Sequence, residues 1–125
     1  MSNWERVRLS DILQTTMSGE WGTECTDKET GIKVLRTTNF TNTGEIDYQN
    51  VVLRNISKTK CLAKRLINQD IILEKSGGSD NQPVGRVVFF SNNTDDIYLC
   101  NNFTQILRIN QSVAYPRFIF LYLHY

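Results

Sequence analysis

The amino-acid sequence predicts an α+β fold, with a twisted, mostly antiparallel sheet and a few short helices. Three observations support this prediction. Apolar runs of strand length recur along the chain, and clusters of Gly, Asn, Ser, Thr and Asp that are typical of turns separate them. Two longer segments, residues 57–66 and 116–125, have the capping residues and apolar spacing of helices. With 125 residues, 40% of them apolar, residues 1–125 fit one globular domain with a modest core.

The N-terminal quarter of the chain predicts one strand followed by a long loop. Trp4 to Leu9 alternates in the manner of a short strand, and Ser10 can then cap one helical turn over residues 11–14. Residues 15–31 are rich in Thr, Ser, Gly and acidic residues, so we expect a loop there.

Two further strands are predicted between residues 32 and 53. Ile32 to Phe40 and Ile46 to Leu53 are rich in β-branched and apolar residues, and the turn signal Thr41–Gly44 separates them. Residues 32–53 therefore predict a hairpin-like unit. The polar end of its first strand, Arg36–Asn39, is a candidate contact with a partner.

Residues 54–65 form the strongest basic patch of the sequence. The patch contains five cations and no acidic residue: Arg54, Lys58, Lys60, Lys64 and Arg65. Ser57 is placed to cap a helix that turns Cys61, Leu62 and Leu66 inward. Such a helix can neutralise the phosphates of a nucleic acid, or it can be a charged face that only water contacts.

The segment from Glu74 to Phe90 combines a polar loop with the two strands that border it. Asp70–Leu73 and Val87–Phe90 are apolar runs that predict these strands. The loop between them presents amides, hydroxyls and two cations, a composition typical of a binding loop. Three glycines allow unusual backbone angles and are expected to shape the loop: Gly77, Gly78 and Gly85.

The last third of the chain predicts two short strands. Residues 91–96 are a turn signal, and residues 97–102 and 104–109 have the composition of strands. Asn101 and Asn102 lie between the two strands. Their amides suit either contact with the edge of an adenine base or a tight turn held by bonds to the local backbone.

The C-terminal segment predicts a helix that begins at Tyr115-Pro116 and runs to Tyr125. Because Arg117–Tyr125 is apolar on most faces, we expect this helix to be buried. The longest apolar run, Phe118 to Leu123, is far too short to span a membrane, and the N-terminus lacks the apolar core of a signal peptide. We therefore expect a cytoplasmic protein without a membrane partner.

Composition excludes several function classes. The net charge of +1 neither supports nor opposes a nucleic-acid partner. Cys25, Cys61 and Cys100 are too far apart for a zinc motif and odd in number, which predicts reduced thiols. His124 is the sole histidine, and the sequence contains no phosphate-binding loop motif, metal-ligand cluster or amino-methyltransferase motif. We therefore expect no enzymatic activity and no cofactor or metal ion in this chain.

Six blocks of the chain, in order, resemble the target recognition domains of DNA-specificity subunits in type I restriction-modification systems. One is the glycine-rich loop Lys75-Ser76-Gly77-Gly78-Ser79 with its bordering strands. The blocks are Trp4 to Ile12, Ser18 to Gly22, Val34 to Phe40 followed by Gly44 to Asp47, Leu66 to Ile72, Glu74 to Phe90, and Pro116 to Phe120. The resemblance covers nearly the full chain.

The resemblance implies sequence-specific binding of double-stranded DNA, with this chain reading one half of a bipartite target. The partners would be methylase subunits, which bind S-adenosylmethionine and modify adenine, and a restriction subunit, which translocates and cuts DNA. In the family a long helix and a second recognition domain follow. Because neither is present here, we expect the chain to be an N-terminal piece of a specificity subunit.

Residue chemistry and position select the candidate DNA contacts. Arginine suits guanine, asparagine suits adenine, and lysine suits phosphate. As DNA contacts we select Lys75, Ser76, Ser79, Asn81, Gln82 and Arg86 in the loop, and Arg36, Thr38 and Asn39 at the strand end. For phosphates we select Lys58, Lys60 and Lys64. The alternative for Arg36 is an ion pair with a carboxylate such as Glu45, with Thr37 and Thr38 completing a sheet edge.

Two other functions are compatible with the sequence. The same type of domain occurs fused to single-chain adenine methyltransferases, so the chain can be a fragment of such an enzyme. It can also be a protein-interaction module that docks through its apolar C-terminal helix and never contacts DNA.

Overall fold

A computed structural model of the chain describes residues 9–75 and 85–124. In chain order the elements are α1 (Leu9–Ile12), β1 (Leu13–Ser18), β2 (Thr23–Glu24), β3 (Ile32–Leu35), a 3-10 helix (Thr37–Asn39), β4 (Val52–Asn55), α2 (Lys58–Lys64), β5 (Ile71–Glu74), β6 (Val87–Phe89), β7 (Tyr98–Cys100), β8 (Thr104–Ile109) and α3 (Pro116–His124). Within these residues no helix is long and apolar enough to cross a membrane.

The strands form two four-stranded sheets. The first sheet has the order β1-β8-β5-β6, and all of its neighbours are antiparallel. The second has the order β2-β4-β3-β7, in which only β3 and β7 are parallel. The predicted α+β class with mostly antiparallel strands is therefore confirmed, and the strands are divided between two sheets.

Three apolar clusters hold four layers together. Because side chains of a strand alternate between its faces, Ile72 of β5 points into the core between the sheets, whereas Ile71 packs against Phe120 of α3. In β3, Leu35 points into the same core and Val34 packs with Cys61 of α2. The order of layers is therefore α3, first sheet, second sheet, α2. The core between the sheets contains Leu35, Phe40, Leu66, Ile72, Val88, Phe90, Tyr98, Cys100 and Ile106.

The two sheets are linked by backbone hydrogen bonds where β1 ends. Gly19 donates its N–H to Thr104 O at 3.0 Å, and the next residue, Glu20, donates to Cys100 O at 2.8 Å. A Cβ atom on Gly19 would lie 2.0 Å from Asn101 O, so only glycine fits there. Ser18 to Glu20 therefore links the end of the first sheet to the end of the second.

The loop between β5 and β6, residues 75–86, is called the central loop below. The two strands that border it match the sequence prediction. Ile71–Glu74 and Val87–Phe89 pair antiparallel, with Ile72 opposite Val88. The strands predicted at residues 97–102 and 104–109 are also confirmed, as β7 and β8.

The prediction of a loop over residues 15–31 was partly wrong. Leu13–Ser18 forms strand β1, which pairs with β8 so that Thr16 lies opposite Leu107. Its threonines are compatible with an edge strand, and long-range pairing decides the conformation. The preceding helical turn is Leu9–Ile12 rather than residues 11–14, and the strand predicted from Trp4 lies mostly outside the described residues.

The hairpin-like unit predicted at residues 32–53 has shorter strands than expected. Its first strand ends at Leu35, because Arg36 begins a turn that Asn39 closes with its side chain. The second strand is Val52–Asn55, while Ile46 makes only an isolated bridge to Phe40. The two strands nevertheless pair antiparallel as predicted.

Helix α2 matches the predicted cap but not all of the predicted packing. The Ser57 hydroxyl accepts a hydrogen bond from Lys60 N at 3.3 Å. Cys61 and Leu66 are buried as predicted, whereas Leu62 is 58% exposed. Cys61 and Leu62 are consecutive and lie about 100° apart around the helix axis, so α2 buries Cys61 and turns Leu62 outward, while Leu66 lies beyond the end of the helix.

Helix α3 lies where it was predicted, but it is not buried. Pro116 and Phe120 face the first sheet, while Phe118 is 66% and Tyr122 is 76% exposed. The helix contacts only one sheet face, so the side chains on its opposite side remain accessible. With Leu9 and Ile12 of α1, this outer side borders an apolar groove of about 520 Å³.

All three cysteines are free thiols. Cys61 and Cys100 are buried, and Cys25 is partly accessible. Burial raises the pKa of Cys100 to about 11, so this thiol remains protonated and unreactive at neutral pH.

Strand β5 has a buried carboxylate at each end. Asp70, immediately before the strand, accepts two hydrogen bonds of 2.8 Å from the Arg108 guanidinium and one of 2.9 Å from Ile67 N. Glu74, the last residue of the strand, is paired with Arg86 at 2.9 Å. Both carboxylates are almost fully buried, so their arginine partners are required to compensate the charge.

We expect Asp70→Asn to lower the free energy of unfolding by about 3 kcal/mol, because it leaves the Arg108 charge partly buried without a counter-charge. Urea unfolding monitored by circular dichroism measures this change. The matched control is Asp96→Asn, which breaks the exposed Lys33–Asp96 pair and is expected to have a much smaller effect, because water screens that pair. Equal effects of the two substitutions would contradict a structural role for the buried pair.

Candidate functional site

One end of the two sheets brings together polar segments that are far apart in the sequence. The end of β1, the start of β8, the end of β5 and the start of β6 meet there, since Ser18 lies opposite Gln105 and Glu74 opposite Thr104. The 3-10 helix follows β3 at the same end. We call this region the loop-end surface; its described residues are Ser18, Gly19, Thr37–Asn39, Lys75, Gly85, Arg86 and Asn101–Gln105.

The base of the central loop is held by Arg86. Its guanidinium donates to both carboxylate oxygens of Glu74, at 2.9 and 3.3 Å, and to the carbonyl oxygens of Thr37 and Phe40, at 3.3 and 3.4 Å. Arg86 therefore joins the loop base to the 3-10 helix. The side chain predicted to read DNA is engaged in the fold, and DNA contact by Arg86 stays a prediction.

Gly85 is required by its backbone angle rather than by lack of space. Its φ is +107°, a value that other residues rarely adopt, yet a Cβ atom there would meet nothing within 4 Å. This geometry agrees with the predicted loop-shaping role of Gly85. The remaining loop predictions lie outside the described residues: Ser76, Gly77, Gly78, Ser79, Asn81 and Gln82.

Lys75 lies at the centre of a polar network on the loop-end surface. Its ammonium donates to Ser18 Oγ at 2.7 Å and to Gln105 Oε1 at 3.3 Å. The Gln105 amide in turn donates to Thr16 Oγ1 at 2.7 Å. Lys75 is exposed, and among the described residues it has no carboxylate partner. Its charge is therefore positioned by neutral groups and available to an anion such as phosphate.

The segment Arg36–Asn39 is mainly a structural turn. Asn39 is buried; its Oδ1 accepts from Arg36 N at 2.9 Å, and its Nδ2 donates to the carbonyls of Asp47 and Asn50. All of its amide functions are thus occupied, and no base edge can reach them without rearrangement.

Arg36 and Thr38 differ in accessibility. Arg36 donates from Nη2 to Asn50 O at 2.8 Å, so the alternative pairing with Glu45 is absent from the described contacts. Its Nε is buried and lacks a partner among the described residues. Thr38 is exposed, and within this segment it is the candidate best placed to contact a partner.

The basic helix α2 has an acidic partner from another part of the chain. Glu20 accepts from Lys60 at 3.3 Å and from Lys64 at 3.1 Å. The Lys64 ammonium holds the pKa of Glu20 below its ordinary value. Two of the three predicted phosphate contacts are therefore already paired, and one carboxylate neutralises part of their charge.

Two other cations of the basic patch, Lys58 and Arg54, differ in how far their charges are occupied by contacts within the fold. Lys58 is exposed, and its side chain makes no hydrogen bond or ion pair within the described parts of the chain. Arg54 stacks on the ring of Trp21 at 4.0 Å and donates to Trp21 O at 3.0 Å, so it is part of the packing. Lys58 is therefore the predicted phosphate contact whose charge is fully available.

Sequence reasoning did not select several residues of the loop-end surface. Ser18 and Gln105 were missed because their roles depend on the pairing of β1 with β8. Phe103 was missed because its exposure, 46%, depends on the turn between the sheets. The one sequence signal for this turn was the Asn101-Asn102 pair. The interpretation of the pair as a turn is confirmed for Asn101, because its Oδ1 accepts a hydrogen bond from Phe103 N at 3.2 Å.

The loop-end surface has the chemistry of a binding site. Within residues 9–75 and 85–124 no group of three His, Cys, Asp or Glu side chains is arranged to hold a metal ion. A polar pocket of about 310 Å³ lies beside the loop base, bordered by Arg86, Thr41, Asn42 and His124. Exposed hydroxyls, amides and an ammonium that has no carboxylate partner among the described residues can recognise a polar, anionic partner.

No known family model matches this sequence, and a search of curated proteins found no match.

Glu20 is expected to make stability depend on pH. Its pKa is lowered in the folded chain, so its stabilising effect is present at neutral pH and is lost as the pH falls through the folded-state pKa. We expect Glu20→Gln to cost less than about 1 kcal/mol of unfolding free energy at pH 7, because the pair is near the surface. The difference from wild type should disappear as the pH falls below the lowered pKa of Glu20.

Urea unfolding across this pH range measures the effect. Glu45→Gln is the matched control, because Glu45 is exposed and has no ion pair within the described residues. A Glu20→Gln difference that stays constant from neutral to acidic pH would contradict the proposed linkage.

Proposed function

We propose that this chain binds double-stranded DNA sequence-specifically and reads one half of a bipartite target for a type I restriction-modification complex. In this proposal it acts in the cytoplasm and chooses the sequence, while methylase subunits with bound S-adenosylmethionine and a restriction subunit perform the chemistry. The chain itself carries out no reaction.

The observation that supports this function best is the convergence of polar segments on the loop-end surface. Thr38, Lys75 and Gln105 come from three separate parts of the chain, and each lies at the same end of the sheets. Hydroxyl, amide and ammonium groups are the types that contact base edges and phosphates. Several loops on a rigid two-sheet support are a suitable arrangement for such recognition.

Local charge also favours a polyanionic partner, although the whole chain is nearly neutral. Lys58, Lys60, Lys64 and Lys75 contribute four positive charges and Glu20 contributes one negative charge, so these five side chains carry a net charge of +3. Because each neutralised phosphate releases counterions, binding through these groups should weaken strongly as salt rises.

Selection from a randomised duplex library, performed at two salt concentrations and followed by sequencing, tests the function directly. Enrichment of a short sequence that persists at the higher salt is the expected result. If binding only decays with salt and no sequence is enriched, sequence-specific recognition is wrong and at most a non-specific electrostatic attraction remains.

We expect Lys75→Ala to weaken DNA binding and to reduce the slope of log affinity against log salt by about 1, since one phosphate contact is lost. Fluorescence anisotropy with a selected duplex measures both quantities. Arg86→Ala is less informative, because it also removes the partner of buried Glu74.

Lys28→Ala is the matched control for Lys75→Ala. Lys28 is exposed and lies in the turn before β3, at the opposite end of the second sheet from Thr37–Asn39. The two substitutions change the net charge equally. If both lower DNA affinity to the same extent, the effect comes from overall charge and the assignment of Lys75 is wrong.

Glu20→Gln is expected to strengthen DNA binding. The substitution removes the carboxylate that Lys60 and Lys64 share, so one additional positive charge becomes available to phosphates. The salt slope should become steeper by about 1 unit. Anisotropy titrations over a salt series measure this gain, and unchanged affinity would show that α2 lies away from the DNA.

A second function, docking of a protein partner, is favoured by the outer side of α3. Tyr115 lies immediately before α3, and Phe118 and Tyr122 lie on the helix; all three are exposed, and a cluster of this kind is typical of an interaction surface. Phe118→Ser combined with Tyr122→Ser separates the two functions. DNA binding that survives this change, while association with another protein is lost, would assign docking to α3.

A further inference from the structure

The turn between β7 and β8 presents two side chains outward on the loop-end surface. Phe103 is 46% exposed, and it belongs to none of the apolar clusters of the described chain. Its neighbour Asn102 is also exposed, and its amide makes no hydrogen bond within the described residues. The turn therefore exposes an aromatic ring and, next to it in the sequence, an amide that has no hydrogen-bond partner among the described residues.

The backbone beneath these two side chains is fixed by buried groups. Asn101 N donates to Leu35 O at 2.9 Å, and Asn101 O accepts from both Thr104 N and Thr104 Oγ1. Asn101 Oδ1 accepts from Phe103 N. Asn101 and Thr104 are buried, so the turn is held to both sheets. A turn fixed in advance loses little entropy when its side chains bind a partner.

A backbone hydrogen bond joins this turn to Lys75, the best candidate for a phosphate contact. Lys75 N donates to Phe103 O at 3.0 Å, while the Lys75 ammonium is held by Ser18 and Gln105. A DNA backbone bound at Lys75 would therefore place its groove near Asn102 and Phe103. Single exposed aromatic residues are common on protein surfaces, but Phe103 lies among polar groups at the base of the central loop.

We propose that Asn102 and Phe103 together read an A·T base pair in the major groove. The Asn102 amide would bond adenine N6 and N7, and the Phe103 ring would contact the thymine methyl group. The adenine N6 and N7 atoms and the thymine methyl group of an A·T pair all lie in the major groove, so two neighbouring residues of one turn can contact the same base pair. This inference rests on the proposed DNA-binding function and assigns it two specificity residues.

Base analogues test the inference with the duplex that the wild-type protein selects. Replacing each thymine in turn by uracil removes only the methyl group. At one position this change should weaken wild-type binding about fourfold, the loss expected for one methyl contact. Phe103→Ala should bind the thymine and uracil duplexes equally, and Phe103→Leu should retain part of the discrimination.

The amide is tested in the same way. Replacing the adenine paired with that thymine by 7-deazaadenine removes the N7 acceptor. Wild-type affinity should fall at least about fivefold, and Asn102→Ala should be insensitive to the change. Asn102→Ala is expected to keep the wild-type unfolding midpoint, because its side chain is exposed, and Phe103→Ala, which removes a ring that is 46% exposed, is expected to remain folded under the binding conditions.

The outcomes separate this inference from the proposed function. If uracil or 7-deazaadenine weakens the binding of the wild type and of the matching variant equally, the role of that side chain is overturned and the DNA-binding function stands. A selected sequence without an A·T pair would overturn the inference alone. Failure of wild type to select any sequence would overturn both.

Discussion

The buried pair of Glu74 and Arg86 determines much of the architecture at the loop end. Glu74 closes strand β5 inside the first sheet, and Arg86 must lie beside it because an isolated carboxylate would be costly to bury. From this position the guanidinium also donates to Thr37 O and Phe40 O, which belong to the segment that follows strand β3 of the second sheet. One ion pair thus fixes the two ends of the central loop and holds them against the 3-10 helix.

The features that could be predicted from the sequence are those set by neighbouring residues. The Ser57 cap, the strands on either side of the central loop and the start of α3 depend on local patterns, and the structure confirms them. Strand β1 could not be recognised, because its threonine-rich sequence forms a strand only through pairing with β8, some ninety residues away. The exposure of α3 likewise depends on which layers exist to cover it.

The candidate site was harder to predict than the fold, since the same residue types serve structure and recognition. Arg86 and Asn39 have the chemistry of base contacts, yet both are occupied by internal hydrogen bonds. The acidic partner of Lys60 and Lys64 is Glu20, about forty residues distant, so the patch seemed free of acid when the sequence was read locally. Lys58, Lys75 and Thr38 remain accessible, and they are the selected residues on which the DNA-binding proposal now depends most.

The order of strands in the two sheets also bears on how the protein avoids aggregation. In the second sheet both edges are formed by very short strands, β2 with two residues and β7 with three. In the first sheet, β1 has an irregular register between Leu13 and Thr15, and Phe89 N of β6 donates to Gly44 O outside the sheet. Short, irregular or covered edges offer little template for another strand. In the described part of the chain, the strand edges therefore disfavour association between copies by extension of a sheet.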